Sequence, residues 1–551
     1  MVPFKETINT KQELIDACKK GFEDYSNKRI SKNDFCMYFG FTHGKAITTF
    51  YEGNYEQLLI DGGFNSGSSA YFSGGINAWK NLRDGKYVFP PFDQKDINLN
   101  VVHTALPSLQ NCFGNYLAAI RTKPFMLLAG ISGTGKSRIV RELAFKSCPK
   151  YLQDKAGTTP GNYCMIEVKP NWHDSTELLG YYSRLGKAGY QFTKFVKFLV
   201  KAKMFPIVPF FVCLDEMNLA PVEQYFAEIL SILETRKHPK NEKTGKVDMN
   251  MVKTGPIIDA QYFRELSEIS HTKNTQTGEP FSSNLTDRDI YLKLFEIETE
   301  SDIDKEVGKR TDLTTEGLIL PDNVVIIGTV NMDDTTHQFS RKVIDRAMTI
   351  EMNGGNLRNM FGGSRNLEYL PDEEQQKWQN AFTRRYVTAD EVLEAHSDVA
   401  KELVEKLPAQ LEEINKALKG TPFEVSYRVL NELTIMVGVM LDDGMELDDA
   451  IAQSVNNILL MKILPRIEGD AEMFALSREY KTKVGITYDN RLEWLKELAP
   501  DIKETLTEAE LGDDDTKEEA EAVKEHQPTA KDKIQEMIDR LNNQEFTRFW
   551  P

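Results

Sequence analysis

Residues 124–146 read PFMLLAGISGTGKSRIVRELAFK, and this stretch decides the fold. It has three parts. The apolar run Phe125 to Ala129 has strand length and no polar alternation, the pattern of a strand covered on both faces. The glycine-rich loop Gly130 to Ser137, GISGTGKS, satisfies G-x-x-x-x-G-K-[ST]. The residues after it have the spacing of a helix. In such a strand–loop–helix unit, Gly130, Gly133 and Gly135 let the backbone N–H groups around Ser132 and Thr134 curl about phosphates. The N-terminus of the following helix adds a favourable dipole. Lys136 then reaches the β- and γ-phosphates, and the Ser137 hydroxyl binds Mg²⁺. The stretch therefore predicts binding of a nucleoside triphosphate with its Mg²⁺ ion.

Working outward, four more apolar runs share the character of the first: NYCMIEVK (162–169), PFFVCLDE (209–216), NVVIIGTVN (323–331) and AMTIEM (347–352). Buried parallel strands read this way, so residues 105–352 are expected to form an α/β parallel sheet sandwiched by helices. A polar, irregular stretch at about 237–320 reads as an insertion within it. Residues 372–500 are helix-patterned and nearly free of strand signals, which predicts an all-α domain beside the sheet. Residues 1–100 form a separate α+β segment with an amphipathic helix candidate at 11–22, and Pro90-Pro91 is a plausible boundary. Residues 501–551 read as an acidic linker and tail around GDDDTKEEAEAVKE, with a helix candidate at 530–541 and a solvated aromatic end, FTRFWP.

The chain has 551 residues and a formal net charge of −17, so it repels polyanions as a whole. Any nucleic-acid contact must come from a local basic surface or from a partner. The six cysteines include no CxxC pair, which speaks against zinc or disulfide frameworks and for free thiols in a reducing compartment. The beginning, MVPFKETINTKQ, has no apolar signal core, and Phe205 to Leu214 is too short to span a bilayer. A cytoplasmic protein is expected.

Four further sites carry chemistry. The run FFVCLDE delivers Asp215 to the metal and places Glu216 to polarise an attacking water. The run VVIIGTVN ends in Asn331, whose amide is placed near the γ-phosphate and the water. SRKVIDRA offers Arg341 and Arg346 as arginines that complete a neighbouring subunit's site, with Arg346 preferred because it immediately precedes the last strand. Such fingers contribute about 10³–10⁵ in rate, or roughly 4–7 kcal/mol. Arg428, at a helix start in the all-α region, is placed to swing onto the γ-phosphate as that region closes. A looser pattern, Asp154 with Glu167-Val168-Lys169, has the form of a nuclease D…E-x-K. It falls on the second strand of the same compact unit, so cleavage is expected of a partner instead.

With these residues in order, the chain resembles the McrB-like branch of AAA+ NTPases over about residues 105–500. LDEMNLAPVEQYFAEILSILE looks like that family's D-E-[IM]-N-x-A block, PDNVVIIGTVNMDD is similar to its strand ending in M-N-x-x-D, and MKILPRIEGD looks like its lid ending. STELLGYYSRLGKAGYQF is similar to the family's hairpin insertion in the second helix, with a tip at 187–189. The resemblance implies hexameric rings, Mg²⁺-dependent hydrolysis of GTP or ATP between subunits, and a separate McrC-like nuclease acting on DNA. It also implies Asn331 as first sensor, Asp334 as the signature acid, Arg346 as finger and Arg428 as second sensor. The family signature M-N-T-A-D-R-S differs here at Val330, Met332, Asp333 and Thr335, and no residue identifies the base. The ELLG element and the hairpin are equally compatible with a MoxR- or midasin-like remodelling ATPase. A nucleotide-gated scaffold without turnover is the remaining reading.

Overall fold

The computed structural model describes residues 107–154, 158–185, 189–240, 247–248, 252–268, 285–296, 308, 310–332, 339–352, 367–502 and 528–550. The expectations for residues 1–100, for Asp334, for positions 187 and 188 of the hairpin tip and for the acidic stretch 503–527 lie outside the described residues. The chain divides into two compact units. One contains 103–259 and 317–551, and the described residues of the other fall within 260–316.

The first unit opens with helix α1 (Pro107–Thr122) and strand β1 (Phe125–Gly130), every residue of which is buried. The phosphate-loop motif leads from β1 into α2 (Lys136–Ser147). Strand β2 (Tyr163–Glu167) follows, and then a two-stranded antiparallel hairpin of Gly180–Ser183 against Gly189–Phe192. Helix α3 (Lys194–Met204) starts at Thr193, whose hydroxyl accepts the Val196 N–H and so meets one of the helix's unpaired donors. Strand β3 (Phe210–Asp215) and helix α4 (Ala227–Leu233) come next. Strands β4 (Val324–Asn331) and β5 (Met348–Glu351) complete the sheet.

The sheet has five strands in the order β2-β3-β4-β1-β5, all parallel. Its strands are apolar along their length because helices cover both faces, leaving no wet face to favour alternation. Register decides which residues meet where the strands end. Gly130 pairs with Asn331, Leu214 with Gly328, and Glu167 with Asp215, so the carboxyl ends of β1, β2, β3 and β4 form one edge. The α/β parallel sheet and the all-α region expected after it are both present.

That α region contains α5 (Asp372–Ala381), α6 (Ala389–Ala395), α7 (Ala400–Leu418), α8 (Tyr427–Asp442), α9 (Leu447–Ile458) and α10 (Arg491–Leu498). In α7 the buried residues Leu403, Leu407, Leu411, Ile414 and Leu418 are spaced by three or four, which puts them on one face. After α9 the chain makes a wide π turn, Leu459–Ile463, and a tight 3₁₀ turn, Leu464–Arg466. One continuous apolar core joins the sheet residues Met126, Leu128, Phe211 and Ile327 to Leu433, Met436 and Ile463 of the helices.

Two expectations need correction. The chain end is not solvated: α11 (Ala530–Gln544) buries Ile534, Met537, Ile538 and Leu541, again at helical spacing, and Phe549 is buried beyond it. Phe546–Arg548 pairs antiparallel with Glu468–Asp470, and Lys533 reaches Glu351 at the end of β5, 2.7 Å away. The terminal segment therefore completes the α region rather than trailing from it.

The insertion is also shorter than 237–320. Lys237 bridges Lys253, and Pro256–Ile258 pairs with Leu318–Ile319, so the flanks belong to the first unit. The described part of 260–316 is helical rather than irregular, with helices Ala260–Glu268, Asp287–Leu294 and Asp312–Thr315. They are tied together by the Asp287 carboxylate accepting the Leu313 N–H at 2.8 Å and by Arg264 donating to the Thr314 carbonyl at 2.9 Å.

Candidate active site

The loop between β1 and α2 depends on two glycines for its path. Gly135, immediately before α2, has φ 85°, in the left-handed region that costs other residues dearly. A Cβ on Gly130 would lie 2.2 Å from the carbonyl oxygen of Met352, the residue after β5, so the backbone there comes too close for any side chain. Lys136 begins the helix. It is buried, and its ammonium donates to the carbonyls of Gly130 (3.1 Å) and Ile131 (2.7 Å).

Around this loop the strand ends bring together the residues singled out from the sequence. The Ser137 hydroxyl donates to Asp215 Oδ1 at 2.5 Å. The same oxygen accepts the Thr329 hydroxyl at 2.8 Å, and Thr329 Oγ1 in turn accepts the Glu216 N–H at 3.0 Å. Asn331 Nδ2 donates to Glu216 Oε1 at 3.1 Å. Asn218 Nδ2 donates to the Asn331 carbonyl at 2.8 Å. Side chains from β3, β4, α2 and the turn after β3 thus form one hydrogen-bonded chain.

Glu216 is held in an uncommon conformation. Its φ is 51°, left-handed for a residue with a Cβ, which costs about 1–3 kcal/mol unless the surroundings enforce it. Here they do, through Thr329 on its N–H and Asn331 on its carboxylate. Beneath Asp215, burial pushes the Cys213 thiol up to about 12, and burial followed by the neighbouring Cys213 and Asp215 holds the Tyr163 phenol well above its usual range. Both groups therefore stay protonated and uncharged at neutral pH, so neither adds charge beside Asp215.

The donor set fits a divalent cation bound with a triphosphate: a hydroxyl and a carboxylate oxygen already within 2.5 Å, beside a loop with two left-handed glycines. The Asp154 carboxylate accepts the Thr158 N–H (2.6 Å) and hydroxyl (2.8 Å), capping its own turn, while Glu167 pairs in register with Asp215. Among the described residues, no group of three or more His, Cys, Asp or Glu side chains is placed to hold a metal.

The arginines lie elsewhere. Arg346 Nε is 3.3 Å from Glu234 Oε1, and Arg428 donates to the other oxygen of the same carboxylate at 2.9 Å. Glu234 sits directly after α4. Arg346 precedes β5, whose Met348 pairs with Met126 near the start of β1, so it lies toward the sheet end opposite the phosphate loop. Arg428, expected from the sequence to swing onto the γ-phosphate as the α region closes, is found here beside Arg346 on Glu234. Arg341 lies against the Phe423 ring, 5.1 Å from its centroid, with the α region.

Thr329 and Asn218 belong to the site although sequence reasoning does not single them out. Thr329 is the one polar residue inside an otherwise apolar run, and its burial makes a partner obligatory. That is a readable signal. Asn218 carries none beyond its place in the DEMN string.

Among the described residues, no helix is long and apolar enough to cross a membrane. Residues 379–546 match a protein family described only as a domain of unknown function, DUF8727. The matched stretch runs from α5 through α11, across the same α region that the chain end completes. No curated protein matches the chain. A solved structure from Cytophaga hutchinsonii, described as a candidate ATPase, is 14% identical and covers 77% of this chain and 98% of its own, with a TM-score of 0.30. A likeness at that score carries no argument about activity.

Proposed function

We propose that the chain is an AAA+ nucleoside triphosphatase that works as a ring, each site completed by an arginine of the next subunit. The observation that carries this is the hydrogen-bonded chain Ser137–Asp215–Thr329–Glu216–Asn331 at the mouth of the glycine loop. Bound Mg²⁺ at Ser137 and Asp215 would supply charge neutralisation on the phosphates. Lys136 exchanges the loop carbonyls for phosphate oxygens. Glu216 accepts a proton from the attacking water, and Asn331 holds both that carboxylate and the water in line. Arg346 and Arg428, paired on one carboxylate away from the loop, face a neighbour's nucleotide in this reading. Their charges then offset those developing on the transferred phosphoryl group.

The finer reading is an McrB-like motor: a hexamer that uses GTP or ATP to drive a McrC-like nuclease on DNA. The block-by-block likeness of the sequence supports it. DNA is engaged through residues 1–100 or through the partner, in keeping with the overall charge of −17. The test is hydrolysis of ATP and GTP by the purified protein, followed by DNA cleavage with a co-purifying nuclease. Nucleotide-dependent cleavage is expected. Turnover without any cleavage across modified DNA substrates would leave the triphosphatase and remove the restriction role.

One observation favours a second reading. The hairpin 180–192 exposes Tyr181, Tyr182 and Leu185, a surface suited to gripping a polypeptide, as a remodelling ATPase of the MoxR type would. Hydrolysis stimulated by an unfolded protein rather than by DNA would select it.

A further inference from the structure

The turn that carries Arg346 is gripped from outside the sheet. Lys462, in the π turn after α9, is 1% exposed as a residue, and its ammonium donates to the carbonyls of Asp345 (2.7 Å) and Ala347 (2.9 Å). These are the two residues that flank Arg346. Arg466, four residues further on, has its Nε 3.1 Å from Asp345 Oδ1. Both lie in the stretch MKILPRIEGD, whose sequence pattern alone assigns neither of them a role.

Lys462 is itself fixed. Glu432, on α8 one turn after Arg428, is 2.9 Å from the Lys462 ammonium and also pairs with Lys123, at the entry to β1. Burial is the chief cause that pushes Lys462 down to about 8, while Lys123 and Lys462 hold Glu432 below the usual carboxylate range. A buried lysine is costly to keep and needs every donor satisfied. Here it donates to the two carbonyls, and the Glu432 carboxylate beside it supplies the opposite charge. A plain core contact would be made more cheaply by an aliphatic side chain, and it would leave the turn free to shift.

We propose that Lys462, with Arg466, is a positioning residue for Arg346: acting from the α region, it fixes the backbone on both sides of the arginine and so sets where the guanidinium is presented. The proposal rests on reading Arg346 as the arginine that completes a neighbour's site. It adds that the α region of one subunit governs catalysis in the next. A small movement of the π turn relative to the sheet moves two hydrogen bonds that bracket a single residue, and displacement of a reacting group by about 1 Å can cost 10²-fold in rate.

The test is a mixing experiment with full-length chains. Lys462→Met keeps length and removes the ammonium. Glu216→Gln has a dead site of its own and an unaltered Arg346 turn. Lys462→Met alone is expected to lose about 10–100-fold in kcat, with the KM and Kd for nucleotide changed less than about threefold. In excess Glu216→Gln subunits its sites receive an intact arginine, and turnover per Lys462→Met subunit should recover by about tenfold. Arg346→Ala is mixed in parallel. If Arg346→Ala shows no loss, or a loss that mixing leaves in place, the reading of Arg346 itself fails. If mixing restores Arg346→Ala but not Lys462→Met, or if Lys462→Met loses nothing, the positioning role fails alone. Should Lys462→Met not fold by circular dichroism, Arg466→Met replaces it in the same assay. A loss of about threefold or more, repaired by mixing, is then expected, and full activity overturns the proposal.

Discussion

At Asp215 two hydroxyls meet on one carboxylate oxygen, and the second, from Thr329, also fixes the backbone of Glu216. Thr329→Val keeps the shape and removes the hydroxyl, leaving the Glu216 N–H without its partner. An orphaned donor costs about 1–3 kcal/mol when buried and less at this partly buried place, so a barrier increase of about 1 kcal/mol would lower kcat by about fivefold. Steady-state kinetics should show that loss with little change in KM, and Thr329→Ser should keep most of the activity. The same scale gives a pH prediction for the buried thiols. Burial raises Cys148 and Cys164 from 9.0 to about 11 and Cys213 to about 12. Between pH 9 and 11 the folded chain therefore keeps protons that the unfolded chain loses. These groups make stability fall as pH rises through that window. At pH 8, peptide mapping after treatment with a thiol reagent should find the three unlabelled in folded protein and labelled once it is unfolded.

At the scale of elements, much is legible in the sequence and for physical reasons. The five apolar runs read as buried strands because helices on both faces remove the alternation that would otherwise blur strand and loop. The loop, Asp215-Glu216 and Asn331 are readable because phosphate chemistry restricts residue types at fixed offsets from strand ends. The fate of the two arginines is not. Arg428 and Arg346 are separated by some eighty residues and meet only through Glu234, a contact between elements that no local pattern encodes. The end of the chain misleads because the acidic stretch before α11 outweighs the apolar stripe of Ile534, Met537, Ile538 and Leu541.

Two predictions belong to these elements. A guanidinium held by Glu234 must leave it before meeting a phosphate, so Glu234→Gln should raise kcat several-fold at low salt. The effect should shrink as salt screens these partly exposed charges, which kcat measured at both ionic strengths would show. An unchanged kcat at low salt would mean Glu234 does not compete for either arginine. Ile534→Ala in α11 should destabilise the fold by about 2–5 kcal/mol, read by denaturant unfolding. A change within about 0.5 kcal/mol would return α11 to the status of a loose tail.

Over the whole molecule, one apolar core runs from the sheet into the α region and reaches the end of the chain at Phe549. That continuity lets the α region hold the Arg346 turn through Lys462 while the glycine loop stands at the other end of the strands. On the proposed reading each subunit carries the two halves of a site at separate places, and a hydrolytic assembly needs more than one copy. The central claim remains that the loop Gly130–Ser137 with Asp215, Glu216 and Asn331 forms the hydrolytic half. The most direct test pairs nucleotide binding with turnover in Glu216→Gln. The account predicts nucleotide affinity close to that of the unaltered protein and hydrolysis lower by about 10²-fold or more. Hydrolysis at the unaltered rate in that variant, with binding intact, would contradict it.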